Sequence, residues 1–314
     1  MVQRLAGASL LGLLAFAALA AEDWQPEALV RYPDRVLLTD MQRWGDRLVA
    51  GGERGRILYS DDHGQHWQLA HTPGYPTLTR LVAGPGTTAY ALGHLGTLWR
   101  STDRGSHWQA LTLPFEGEPE ALLDLWQRDD QMIVVGAYGS YFESADGGKN
   151  FRQRRPFGDD FDWHINTIVR SPTGALLVLG EAGFMARSLD HGRSWTPLAS
   201  PYEGSWFGAF ASASGRLFIY GMRGHAFVSG DDGQRWQPID LGGTRNSLQG
   251  GGVLADGRIV LVGNEGFIAL SDDDGQRFQR QQTNQRKTLA ALVLAGDGQL
   301  WSAGMAGVRP VPIQ

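Results

Sequence analysis

Cysteine is absent from the 314 residues. Disulfide scaffolds, thiolate zinc sites, iron–sulfur clusters and cysteine nucleophiles are excluded together. An excess of positive charge is missing too. The formal net charge is -5 and the pI about 5.9, which gives no electrostatic case for wrapping nucleic acid, so no nucleic-acid partner is expected. Sustained helical periodicity is lacking, and no hydrophobic run after the first twenty residues approaches spanning length. The eight histidines show no metal-ligand spacing, and four of them (His63, His66, His107, His191) belong to a recurring motif described below. Asp272-Asp273-Asp274-Gly275 lacks the alternation and closing Glu of a calcium loop. Gly147-Gly148-Lys149 lacks the earlier Gly and the following Ser or Thr of a phosphate loop. No metal and no cofactor is expected.

Glycine is abundant, at 43 residues, which is about twice the usual share. The first twenty residues read as an address. Arg4 precedes an apolar run from Leu5 to Leu19, and Ala18-Leu19-Ala20 offers small residues to a signal peptidase. Residues 1–20 are therefore expected to be a signal peptide, and 21–314 one exported domain. Glu22 and Asp23 follow at once and argue against a membrane anchor.

The remainder is one repeat. Ser-x-Asp-x-Gly-x-x-aromatic occurs six times, with its aspartates at Asp62, Asp103, Asp146, Asp190, Asp231 and Asp273. A second motif, Gly-x-x-Gly, precedes each box at a fixed offset, from Gly52/Gly55 to Gly263/Gly266, and recurs at Gly304/Gly307. Short β-branched runs such as Met132-Ile133-Val134-Val135 lie between them. In the box, Gly supplies a positive φ and the Asp carboxylate accepts from the turn's own N–H groups, so these aspartates are expected to be structural. In Gly-x-x-Gly, two glycines bracket a two-residue tip. Each unit reads as four strands over about 42 residues, the length of a propeller blade. An all-β, seven-bladed β-propeller of four-stranded blades follows. Its last blade has three strands from the C-terminal repeat, and Trp24 to Arg31 is expected to supply the fourth and close the ring.

The box matches the Asp-box, or BNR, repeat. The paired layout with Gly-x-x-Gly over essentially the whole mature chain resembles the photosystem II stability and assembly factor family and its bacterial relatives. The resemblance implies a non-enzymatic, exported propeller serving a membrane complex: in the thylakoid lumen of photosynthetic organisms, and in the periplasm, at exporters for example, elsewhere. Only Asp146-Gly147-Gly148 carries that family's usual Asp-Gly-Gly turn.

Three long joining loops in consecutive blades carry the informative variation: 114–120, 154–164 and 201–207. They should form one aromatic-rich patch with Arg155, Trp163, His164, Tyr202 and Trp206 as partner-binding residues. The expected partner is a protein, of a membrane complex, held by a monomer that is at most peripheral to the membrane. The alternative is a glycan-binding or sialidase-like glycoside-hydrolase propeller, for which Glu116, Glu118, Glu120, Asp159, Asp160, Asp162 and Glu203 are the loop acids on the right face. No Arg-Ile-Pro motif accompanies them, and no catalytic residue is assigned.

Overall fold

In the computed structural model, residues 30–312 are described. They form seven antiparallel sheets in a ring, each running from an inner strand outward in chain order. The inner strands are Leu38–Trp44, Leu78–Ala83, Leu122–Arg128, Ile165–Arg170, Trp206–Ala211, Leu248–Val253 and Leu289–Leu294. Six sheets have four strands. The seventh has three among the described residues: Leu289–Leu294, Leu300–Gly304 and Gly307–Val311. The expected signal peptide and most of the expected closing strand lie outside the described residues. Of that strand, Val30 and Arg31 are described, and the Val30 N–H donates to the Trp67 carbonyl at 2.7 Å.

The core sits between blades rather than inside one layer. Second strands such as Leu176–Gly180 are buried at every residue, because both faces meet a neighbouring blade. Blade 7 packs on blade 1 through Ala291, Ala303 and Val308 against Val36, Leu38 and Leu48. The Arg309 guanidinium meets Asp34 at 2.9 Å across the same seam.

The two motifs make the turns at opposite faces. In the box of blade 2, Ser101 Oγ donates to Asp103 Oδ1 at 2.8 Å and accepts the Gly105 N–H at 2.8 Å. The same Asp103 oxygen takes the N–H groups of Ser106 and His107, and Trp108 Nε1–H closes over the turn onto the Gly105 carbonyl. At the other face the tip differs from the expected bracket. In the first six blades its two central residues are the second x and the second Gly, both left-handed, as in Tyr138 (φ 51°) and Gly139 (φ 69°), while Gly304 and Gly307 pair and bracket Met305-Ala306 as expected. Ser140 N–H returns to the Ala137 carbonyl, giving a type I′ turn whose twist suits a hairpin. The first Gly serves close approach. A Cβ on Gly180 would lie 2.0 Å from the His164 carbonyl oxygen.

Box carboxylates are held below their ordinary range. The Asn150 backbone N–H and side-chain amide hold Asp146 down at about 2, and the Ser194 hydroxyl and N–H do the same for Asp190. A depressed carboxyl contributes stability that is present above the unfolded value near pH 4 and is lost as pH falls through the folded one. The urea midpoint should therefore drop between pH 4 and pH 2. Replacing Asp146 and Asp190 with Asn should lower the midpoint at pH 6 and flatten that acid dependence. An unchanged slope would mean that these turns do not set it.

Candidate functional site

Inner strands run from the face of the joining loops and Gly-x-x-Gly tips towards the face of the boxes. Exposed large apolar side chains gather on the first face. Among the described residues these are Tyr32, Leu37, Tyr75, Leu95, Tyr138, Trp163 and Met305, whereas the box face has Leu189 and Val253. Leu95 and Tyr138 are 76% and 60% exposed, and both occupy the left-handed position of a tip, at φ 58° and 51°. A bulky residue is strained there and Gly or Asn would be easier, so folding alone does not account for either side chain.

Around Tyr138 the third and fourth blades supply an aromatic cluster. Phe157, Phe161 and Phe184 pack tilted or edge-on at centroid separations of 5.2, 4.9 and 4.6 Å, and Trp163, 44% exposed, caps Phe161 at 6.0 Å. His164 is half-buried and edge-on to the Tyr138 ring at 4.7 Å. Its Nδ1 lies 3.4 Å from the Tyr138 N–H and 3.5 Å from Glu181 Oε2. Arg155 is exposed, with its guanidinium on Glu116 at 3.2 Å. Together the joining loops of blades 2–3 and 3–4 enclose a cleft of about 250 Å³ whose apolar walls are Phe115, Tyr138, Phe157 and Phe161.

Tyr202 stands apart, half-buried and stacked on His225 at 3.8 Å. Trp206 corrects the expected patch. It begins an inner strand, is 0% exposed, and points its Nε1–H at Ser200 Oγ. A side chain with no accessible surface cannot touch a partner, so Trp206 supports Tyr202 from beneath (5.8 Å, edge-on). The loop acids Glu116, Glu118, Asp159, Asp160, Asp162 and Glu203 are exposed and Glu120 is half-buried. Among the described residues no three His, Asp or Glu side chains are grouped to hold a metal ion, and no helix is long and apolar enough to cross a membrane.

A second polar feature was missed by the sequence reading. Every inner strand carries a register shift after its first residue, and the next paired residue stands at the same level of the wall in each blade. Around the ring this position is Asp40, Arg80, Asp124, Thr167, Gly208, Gly250 and Ala291. Asp40 accepts N–H bonds from Met41 and, in the next blade, Leu81. Asp124 accepts from Leu125, Ile168 and the Thr167 hydroxyl. Arg80 Nε lies between them, 4.0 Å from Asp40 Oδ2 and 3.6 Å from Asp124 Oδ1. Asp124, against burial, raises the Arg80 pKa, while burial raises that of Asp40 against the opposing charge of Arg80. Tyr220 sits on a second strand, but its ring passes over Gly208 to join this belt. Cavities of about 510 Å³ and 380 Å³ lie on the box and loop sides of the belt. Alignment on the first Gly does not reveal the level, because Asp40 and Asp124 stand twelve positions before it and Arg80 thirteen; the strand pairing is what brings them into line.

Fold and face together define a seven-bladed propeller with a loop-face cleft and a polar belt across its channel. The chain matches no known family model, and no curated protein matches it in sequence. Among solved structures it is similar to YCF48 bound to D1 peptide, at 17% identity and TM-score 0.71, covering 93% of this chain and 98% of that one. YCF48 from Cyanidioschyzon merolae is similar at 17% identity and TM-score 0.68, covering 89% and 96%. Virginiamycin B lyase from Staphylococcus aureus with quinupristin is similar at 10% identity and TM-score 0.75, covering 92% and 99%. At such identities the likeness is one of fold.

Proposed function

We propose that the protein is an exported, non-catalytic scaffold that binds a protein partner of a membrane complex through its loop face, as an assembly factor does. The observation that carries this reading is the gathering of exposed apolar side chains on one face, with Leu95 and Tyr138 held in strained turns. Contiguous exposed apolar surface marks an interaction site. YCF48, of the same fold, is found with a bound D1 peptide, which supports protein binding by such a propeller. The lyase of the same fold keeps an enzymatic reading in view. Here Glu116, Glu118 and Glu120 line the cleft from one loop and the other loop acids lie exposed outside its lining, whereas a glycosidase needs two carboxyls converging across a substrate-sized site.

The test is a pull-down of the tagged protein from detergent-solubilised membranes of its own organism, beside a variant with Leu95, Tyr138 and Trp163 changed to Ser. One specific membrane protein should be recovered by the wild type and lost, at least tenfold, by a variant of unchanged thermal stability. Recovery undiminished by the variant would overturn the face. Hydrolysis of a glycan panel without a recovered partner would overturn the class.

A further inference from the structure

Resting on that reading, we propose that the element of the partner seated in the Phe115–Tyr138–Phe157–Phe161 cleft is a cationic peptide segment, with Lys or Arg interleaved with apolar side chains. The cleft itself is the docking surface, because its walls are aromatic and Tyr138 and Trp163 remain exposed at its edge. Charge then selects the occupant. Glu116, Glu118 and Glu120 line one joining loop, and Asp159, Asp160 and Asp162 the other. The exposed cation between them is Arg155, already on Glu116. In the cleft lining Glu116, Glu118 and Glu120 outnumber Arg155 and leave a net charge of -2, and Asp159, Asp160 and Asp162 add negative charge on the adjoining loop.

Glu118, Glu120, Asp159, Asp160 and Asp162 have no ion pair or side-chain hydrogen bond among the described residues, and are free to receive a partner's donors. Low-dielectric aromatic walls beneath them focus the field at the cleft mouth. The far side of the same face has the opposite sign, with Arg223, Arg245, Arg286 and Lys287 exposed. A segment with a basic part over blades 2–4 is thereby oriented as well as attracted. An anionic lipid surface would be repelled by this cleft, which is why the occupant is a protein segment.

The probe is a labelled twelve-residue peptide with four Lys and four Leu spaced by Ser, beside its counterpart with Glu for Lys, titrated by fluorescence anisotropy against the mature protein. The Lys peptide should bind at least tenfold tighter. Its affinity should fall at least tenfold in the E116Q/E118Q/E120Q variant and be unchanged in D46N/D129N/D272N, which removes as much charge from the box face. Equal binding of both peptides, equal loss in both variants, or binding to phosphatidylglycerol vesicles in place of the peptide would overturn the proposal. If the membrane partner is lost with the Leu95/Tyr138/Trp163 variant but kept by E116Q/E118Q/E120Q, the scaffold reading stands and the cationic segment falls. A bound Lys peptide without any membrane partner is the converse.

Discussion

Changing Arg80 to Met should destabilise the propeller by about 3 kcal/mol, more than any loop-face change. Removing one partner of a buried ionic cluster costs roughly 3–5 kcal/mol, because the remaining charge stays uncompensated. Here Asp40 and Asp124 are 5% and 4% exposed and would be left with only N–H and hydroxyl donors around them. The lower end applies, since Arg80 itself is 29% exposed to the channel. The pH dependence has a definite sign. Burial has already raised the Asp40 pKa, and loss of Arg80 raises it further. A native state that binds a proton more readily than the unfolded chain gains stability as pH falls towards the unfolded value near 4. The deficit of the variant, read from urea midpoints, should therefore be largest at pH 8 and narrow by pH 5. A second change, Asp40 to Asn, should recover part of it. A deficit that is constant with pH would show that Arg80 acts through packing alone.

Gly208 to Ala should cost about 2 kcal/mol, against the ordinary expectation that Gly to Ala in a compatible backbone is neutral or helpful. Its added Cβ would lie 2.1 Å from Tyr220 Oη and 2.3 Å from Cζ. The ring cannot step aside, because Gly251 bounds its other flank, where a Cβ would stand 2.9 Å from Cε1. Overpacking of this kind costs about 1–3 kcal/mol, and Tyr220 would also leave Arg80. Gly252 to Ala is the internal control. It lies in an inner strand with nothing within 4 Å of its Cβ and should leave stability within about 0.5 kcal/mol. In a Tyr220 to Leu background the Gly208 penalty should shrink, and equal penalties in both backgrounds would refute the threading argument.

Much of the architecture was legible because the repeat is written in turn residues. Ser101, Asp103 and Gly105 sit at fixed spacing since one hydroxyl and one carboxylate serve a single turn. The tip was legible only in part. Nothing about Arg54, Leu95 or Glu265 as residue types announces a positive φ, because the strain is imposed by the hairpin twist. Trp206 was misjudged by reading its loop in isolation. It falls fifteen positions before its Gly-x-x-Gly, as do Leu78, Ile165 and Leu248, all fully buried inner-strand starts. Trp163 falls outside that register and is exposed, so the repeat phase separates the two tryptophans where composition does not. The channel belt was hidden because its members are some forty residues apart and meet only when the ring closes.

The channel belt is also unevenly distributed, and that has a mechanical meaning. Thr39 reaches the Leu78 carbonyl, Asp40 the Leu81 N–H, Asp124 the Ile168 N–H and Asn166 the Trp206 carbonyl, each from one blade to the next. Beyond them the equivalent wall positions are Gly208, Gly250 and Ala291, which carry no polar side chain, and the polar bonds across those seams lie elsewhere, from Ser214 and Arg216 to Asp274 and from Arg309 to Asp34. With Thr79 Oγ1 on the Leu122 carbonyl between blades 2 and 3, the inner wall thus ties five consecutive blades, 1 to 5, each to the next. The aromatic cleft rides on blades 2 to 4 of this tied arc, so a bound segment rests on inner strands that are each fastened to the next.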